Sequence, residues 1–295
     1  MNKQHVNGYL LAFLTVLIWG TTYIFTKNLL NHLSPFEILM YRFLIAYGLL
    51  LLIYPKFDFS FAWKVEGLFF LLGLLGVTSY FLLENIALSF TQASNVGLIV
   101  SAIPLFAAIV AHFMHKDERF QKDQLFGFMV AITGIFLVIF NGAYLLDVSP
   151  TGDLLALLCA VIWAVYSNLL KKVDNSMSPI LMARKTFFYG ILTMTPIMLF
   201  NGVSVQFASI RSMEVIGSIL FLALLASILA FVMWNKAIKL IGSVKTTTFI
   251  YLVPLITMVS SAIFLKEQIT GIMIIGAVLI LFGVHLGTNR TIAKP

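Results

Sequence analysis

"LIWGTTYIFTK", residues 17–27, returns in altered form as "VIWAVYSNLLK" at residues 161–171, with Trp19 set against Trp163. Working outward from this pair, Pro35 and Pro179 stand at the same offset. "ENIALSFTQASNVGLIVSAIPL" (84–105) parallels "WNKAIKLIGSVKTTTFIYLVPL" (234–255), matching Asn85 with Asn235, Ala87 with Ala237 and Pro104 with Pro254. Glu118, Gly127 and Gly134 then recur with identical spacing as Glu267, Gly276 and Gly283. One such coincidence is weak, but an ordered series marks an internal duplication.

The duplicated material is apolar. Of 295 residues 60% are hydrophobic and 11% charged, with a mean hydropathy of +1.00. That balance lies outside the range of soluble domains and defines an integral membrane protein. A helix of about 20 residues crosses a hydrocarbon core of roughly 30 Å. Stretches of this kind fall at 8–26, 35–54, 66–89, 94–114, 124–141, 151–170, 179–200, 214–235, 246–265 and 270–288. No segment of appreciable length is left for a soluble domain, and the first stretch carries no small-residue cleavage site, so it is expected to stay in the protein.

The net charge of +7 reports orientation rather than nucleic acid. With a cytoplasmic N-terminus, the inner side carries Lys56, Lys64, Lys116, Arg119, Lys122, Lys171, Lys172, Lys236, Lys239 and Lys245, together with basic residues of both tails. The outer loops then carry only Lys27, Arg211 and Lys266, so both termini are expected in the cytoplasm. The acidic connector "YLLDVSPTGD" falls outside. Residues 8–141 and 151–288 form two units of five spans each. Five is odd, so the second unit enters from the opposite face. The result is an inverted repeat, a symmetry suited to alternating access around a midplane site.

The paired "IWG" and "IWA" segments, "SPFEILMYRFLIA" (34–46), the polar helix starts leading to "IP" and "VP", and "KEQITGIMIIGAVLILFGV" (266–284) resemble the EamA domain of the drug/metabolite transporter superfamily, present twice. The resemblance spans nearly the whole chain. It implies an all-α membrane protein with ten helices around a central cavity, and transport of small solutes, often export of amino acids, metabolites or drugs. It implies an inner or plasma membrane protein and no particular substrate.

Ionisable residues inside the spans are the first candidates for chemistry, because a charge at the bilayer centre costs about 2.5 to 3.5 kcal/mol on insertion scales. Glu84, in "SYFLLENIALSF" (79–90), stands about 9 Å below the outer end of its span, and Arg42 about 10 Å below the same face. They are expected to line the outer part of the cavity, to hold each other when it is empty, and to exchange partners with a charged or zwitterionic solute. The alternatives are a snorkelling Arg42 beside a protonated, merely packed Glu84, or a Glu84 that carries a coupling proton. Arg184 and Lys185, in "ILMARKTFFYG" (180–190), are basic residues at a similar depth from the opposite face, with snorkelling again the alternative. By the repeat offset, Tyr41 and Arg42 correspond to Lys185 and Thr186.

Trp19 and Trp163, with Tyr23 and Tyr166 beside them, shape a cavity wall or simply pack. Asn85 and Asn235 need buried partners. Pro104 and Pro254, read as mid-helix, each remove a backbone bond and are expected to kink or hinge their helices. Gly127, Ala131 and Gly134, with Gly276, Gly283 and Gly287, form small-residue faces for close packing within one chain or between two in a homodimer. The lone Cys159 excludes an internal disulfide framework and reads as a packed thiol. His112 and His115 lack a second cluster at ligand spacing, so no metal is expected, and no phosphate-cradling Gly-rich loop is present. No cofactor is called for. The leading function is a secondary carrier of small polar or amphipathic solutes. A flippase for a lipid-linked substrate is the close alternative and an intramembrane enzyme the distant one.

Overall fold

The computed structural model describes residues 3–55, 62–114, 122–145, 149–173, 177–203, 212–241, 246 and 249–288, and every regular element among them is helical. His115, Glu118, Asp147 and the side chains of Asn235 and Gly287 lie outside this description.

Several helices begin where the sequence gives a reason. Helix α1 spans Lys3–Leu29 and α2 spans Pro35–Ile53. Ser34 caps α2: its hydroxyl accepts from the Glu37 amide, and the Glu37 carboxylate in turn accepts from the Ser34 amide at 3.0 Å. Pro35 occupies the first helical position, where a missing N–H is harmless. The same Ser–Pro start opens α8 (Pro150–Leu170) and α9 (Pro179–Phe200), while Ser212 caps α10 (Met213–Leu220).

Two long rods change pitch in the middle. Helices α3 (Trp63–Gly73) and α4 (Tyr80–Phe90) are joined by a π-helical stretch, Leu74–Ser79. Helices α10 and α11 (Ala230–Ile241) are joined likewise by Phe221–Leu229. The first stretch follows close backbone contact: a Cβ on Gly73 would sit 2.5 Å from the Gly190 amide nitrogen, and one on Gly190 would collide with Val77. Thr78 fastens the crossing by donating to the Gly190 carbonyl at 2.9 Å.

Two other rods are broken outright. Helix α5 (Ala93–Val100) ends at Ser101–Ala102 before α6 (Ile103–Met114) begins, and a 3₁₀ turn at Phe249–Leu252 precedes α12 (Val253–Ser260). Pro104 and Pro254 are each the second residue of the later helix. The prolines, read as mid-helix, thus stand in the first turn of the later segment, directly after the change in helical pattern, where a missing donor has no partner to lose.

Among the described residues, seven stretches are long and apolar enough to cross a membrane: Val6–Leu29, Pro35–Ile53, Trp63–Phe90, Ala93–Met114, Gln124–Asn141, Pro150–Leu170 and Met213–Trp234. Phe249–Leu265 and Gly271–Leu286 are shorter apolar helices. The outward side chains are apolar too, among them Phe113, Phe126, Phe136, Phe264 and Phe282, as hydrocarbon surroundings require.

The small-residue faces meet each other. Helix α7 (Lys122–Leu145) packs along α13 (Gly271–Thr288), and a Cβ on Gly134 would stand 2.6 Å from the Gly276 carbonyl oxygen. Gly283 likewise faces Gly127 and Ala131. Gly127, Ala131, Gly134, Gly276 and Gly283 are thus used in close packing within one chain.

Candidate functional site

Helices from both halves of the sequence converge on one buried, aromatic-walled cluster. Arg42 of α2 is 7% exposed; its Nε donates to Ser227 Oγ at 3.0 Å, and its guanidinium carbon stands 4.3 Å from the centre of the Phe81 ring. Ser227 lies in the π-helical stretch after α10, where its hydroxyl donates to the Leu222 carbonyl. Glu84 of α4 is 6% exposed and lies beside the Tyr80 side chain one turn earlier, with Tyr23 of α1 close by. The Tyr80 ring packs 4.6 Å from Trp163 of α8, and Trp163 packs 4.8 Å from Tyr166. Cys159 donates to the Tyr80 carbonyl at 3.6 Å, so the thiol is packed.

Arg42 and Glu84 share this cluster but form no direct ion pair. The expectation that they hold each other is corrected: the Phe81 ring and Ser227 take the guanidinium, and the carboxylate lies beside Tyr80. The guanidinium is weakly hydrated and stacks on aromatic faces, so the Phe81 contact repays part of its burial. Snorkelling is also ruled out for Arg42 by its burial. An acid and a base held close by neutral partners leave each other's hydrogen-bonding positions incompletely used. A zwitterion presents the complementary pair of charges.

The remaining predicted residues divide by neighbourhood. Trp19 donates from Nε1 to the Ala226 carbonyl at 3.3 Å and packs 5.2 Å from Trp234, next to the Ser227 stretch. Tyr166 covers Gly76, at which a Cβ would meet its ring. Tyr41 packs in an apolar cluster with Leu29, Leu33, Ile38, Val215, Ile219 and Leu222, away from the guanidinium. Asn85 donates to the Pro35 carbonyl at 3.0 Å and ties α4 to the start of α2.

Arg184 and Lys185 neither snorkel nor join the cluster. Lys185 pairs with Glu66 of α3 at 2.6 Å, and Tyr189 donates to the other Glu66 oxygen at 2.7 Å. Arg184 donates to the Tyr54 carbonyl at the end of α2 and lies over the Tyr54 ring. Both bases are spent on helix-to-helix ties, because α9 crosses α3 and the end of α2 there.

Sequence reading passed over Tyr80, Phe81, Ser227 and Asp153. A hydroxyl in an apolar helix carries little signal, and the π-helical stretches that turn Ser227 and Glu84 inward have no periodicity of their own. Asp153, at the start of α8, looks like a solvated connector acid and is instead fully buried.

A membrane-crossing helical bundle with a buried, charged and aromatic centre, and no soluble portion among its described residues, has the build of a transport protein. The model of the EamA-like transporter family matches residues 6–140 and again 150–288, and the chain belongs to that family. It is 30% identical over 291 residues to Uncharacterized transporter YyaM of Bacillus subtilis (strain 168), covering 95% of this chain and 93% of that one. It is 28% identical over 289 residues to a protein named Probable amino-acid metabolite efflux pump of Salmonella typhimurium, covering 94% and 93%. The protein of the same name from Escherichia coli (strain K12) is 26% identical over 284 residues, with the same coverage. A crystal structure of 18% identity superposes with a TM-score of 0.59 over 98% of this chain and all of the other, a likeness of fold. The protein is thus a multi-pass membrane transporter of this family.

Proposed function

We propose that the chain is a secondary carrier that exports small polar or amphipathic metabolites, such as amino acids or drugs, by alternating access, and that it is not an enzyme. Ten transmembrane helices form two inverted five-helix repeats around a central path, in the inner membrane, with both termini in the cytoplasm. The single observation that carries this reading is the meeting of Tyr23, Arg42, Tyr80, Glu84, Trp163 and Ser227, drawn from both family matches, in one buried cluster. Arg42 takes the solute's carboxylate and Glu84 its ammonium group, while Phe81 and Trp163 flank the apolar part.

The packing supports the inverted repeat. Helix α1 lies against α11 and α12, as α8 lies against α4 and α6, and α2 against α9 and α7 against α13 are the self-matched pairs. The matched π-helical stretches and matched prolines follow the same rule. Exchanging which repeat is tilted is then a change between states of similar packing energy.

A second reading is favoured by a cavity of about 760 Å³ between α2 and α9, lined by residues that include Leu44, Tyr47, Phe188, Leu192 and Pro196. Its lining is almost wholly apolar, as entry of the apolar part of a lipid-linked substrate requires. Purified protein in liposomes separates the two: efflux of unmodified radiolabelled amino acids supports the carrier, and movement of labelled lipid headgroups without amino-acid flux supports the flippase. Chemical conversion of either without flux would reject both.

A further inference from the structure

Resting on the carrier reading, we infer that Asp153 is the site at which the protein takes up and releases a proton during transport. Asp153 sits in the first turn of α8 and is 0% exposed. Its carboxylate accepts from Thr91 Oγ1 at 2.6 Å, and Asn95 Nδ2 lies 3.2 Å from each of its oxygens. These partners are neutral.

The charged groups at this corner point elsewhere. Lys27 of α1 donates to the Thr91 backbone carbonyl, and Glu267 accepts from the Ala93 and Ser94 amides and the Ser94 hydroxyl. The elements packed on α8 bring Tyr80 and Glu84 of α4, two or more turns before Thr91. They also bring His112 near the far end of α6, and Lys64 and Glu66 at the start of α3. Helix α5 and the described side chains of α7 bring no charge.

Among the described residues no cation pairs with this enclosed carboxylate, whereas a carboxyl group needs only an acceptor for its proton. Asn95 supplies one. This side chain is 0% exposed, and its Oδ1 has no donor. Amide oxygen and nitrogen are set by the hydrogen-bond network around them. Turned end for end, the Asn95 amide presents Oδ1 to Asp153 in place of Nδ2. The corner therefore has two arrangements, one for each protonation state. In the charged one, Thr91 and Asn95 both donate to the carboxylate. In the neutral one, the Asp153 hydroxyl donates to Asn95 Oδ1 and Thr91 keeps its bond. One proton passes between Asp153 and water, and no other covalent bond changes.

The corner is coupled to the cluster through α4. A Cβ on Gly152 would stand 2.8 Å from Thr91 Cβ and 2.9 Å from the Ala87 carbonyl oxygen, so α8 presses directly on the end of the helix that carries Tyr80 and Glu84. A change in how Asp153 holds Thr91 and Asn95 is felt by both α4 and α5.

The test is pH-difference infrared spectroscopy of the purified protein in lipid, which needs no substrate. A protonated-carboxyl band that vanishes as pH rises is expected to have a component that is kept in Glu84→Gln and missing in Asp153→Asn. Thr91→Val, which keeps the acid, shifts that component and covers the case in which Asp153→Asn does not fold. A titrating band of Asp153→Asn that matches the wild type in frequency and amplitude overturns the assignment whatever the protein transports. In proteoliposomes shown to carry amino acids, Asp153→Asn should exchange solute yet lose the response to an imposed pH gradient. A wild-type response in that variant overturns the coupling role while leaving the carrier reading intact.

Discussion

Glu84 and Asp153 are both carboxylates shut away from water, and their surroundings differ in kind. Glu84 lies in the same cluster as a guanidinium, with Tyr80 beside it and aromatic rings around them. Asp153 has a hydroxyl and an amide, and no cation among the described residues pairs with it. The first arrangement keeps a pair of opposite charges available to a third party; the second suits a group whose own charge comes and goes. What a buried acid does is set by whether its neighbours are charged, and burial alone does not decide it.

Replacing Arg42 breaks the comparison most severely, since it strips Glu84 of its nearby cation and makes its surroundings resemble those of Asp153. Arg42→Met is expected to abolish solute flux in proteoliposomes while lowering stability by only about 2 kcal/mol, the worth of a desolvated cation–π contact. Next in size is Lys185→Met, the control on a base that does hold its acid directly. Glu66 then keeps Tyr189 but loses its cation, at a cost of about 3 kcal/mol visible in thermal melting. Half-saturation for solute should stay unchanged in the folded fraction. Glu84→Gln keeps the size and polarity of the side chain and should leave the melting temperature nearly unmoved while weakening binding of zwitterionic solutes more than anionic ones, read by thermal shift. Equal losses for both solute classes would deny Glu84 its ammonium contact. Smallest is Tyr80→Phe, which takes the polar hydroxyl away from Glu84 and Tyr23 and should cost about 1 kcal/mol of stability with flux reduced but present.

The same contrast explains what the sequence could and could not reveal. Apolar stretches, Ser–Pro helix starts and the repeated Trp, Pro and Gly positions are read from residue type and spacing alone, so the helices and the duplication were open to view. Arg42 and Glu84 were conspicuous because a charge in an apolar run has no cheap explanation. Their partners were not, because Phe81, Tyr80 and Ser227 are ordinary residues made significant by helix rotation at two π-helical stretches. Asp153 misled in the other direction: beside "DVSPTG" it resembles a connector acid, and only the packing of Gly152 against Thr91 and Ala87 encloses it. Arg184 and Lys185 had the composition of a second site, yet Tyr54 and Glu66, far away in the chain, already hold them. Tertiary contact between distant segments decides which buried charge is spent and which is available.

The central claim is that the guanidinium of Arg42, held by an aromatic ring and a hydroxyl and paired with no acid, is the anchor for the transported solute. Amino-acid efflux from proteoliposomes, measured side by side for wild type, Arg42→Met and Lys185→Met, tests it most directly. The account predicts flux in the wild type and in Lys185→Met and none in Arg42→Met. Undiminished flux through Arg42→Met would contradict it.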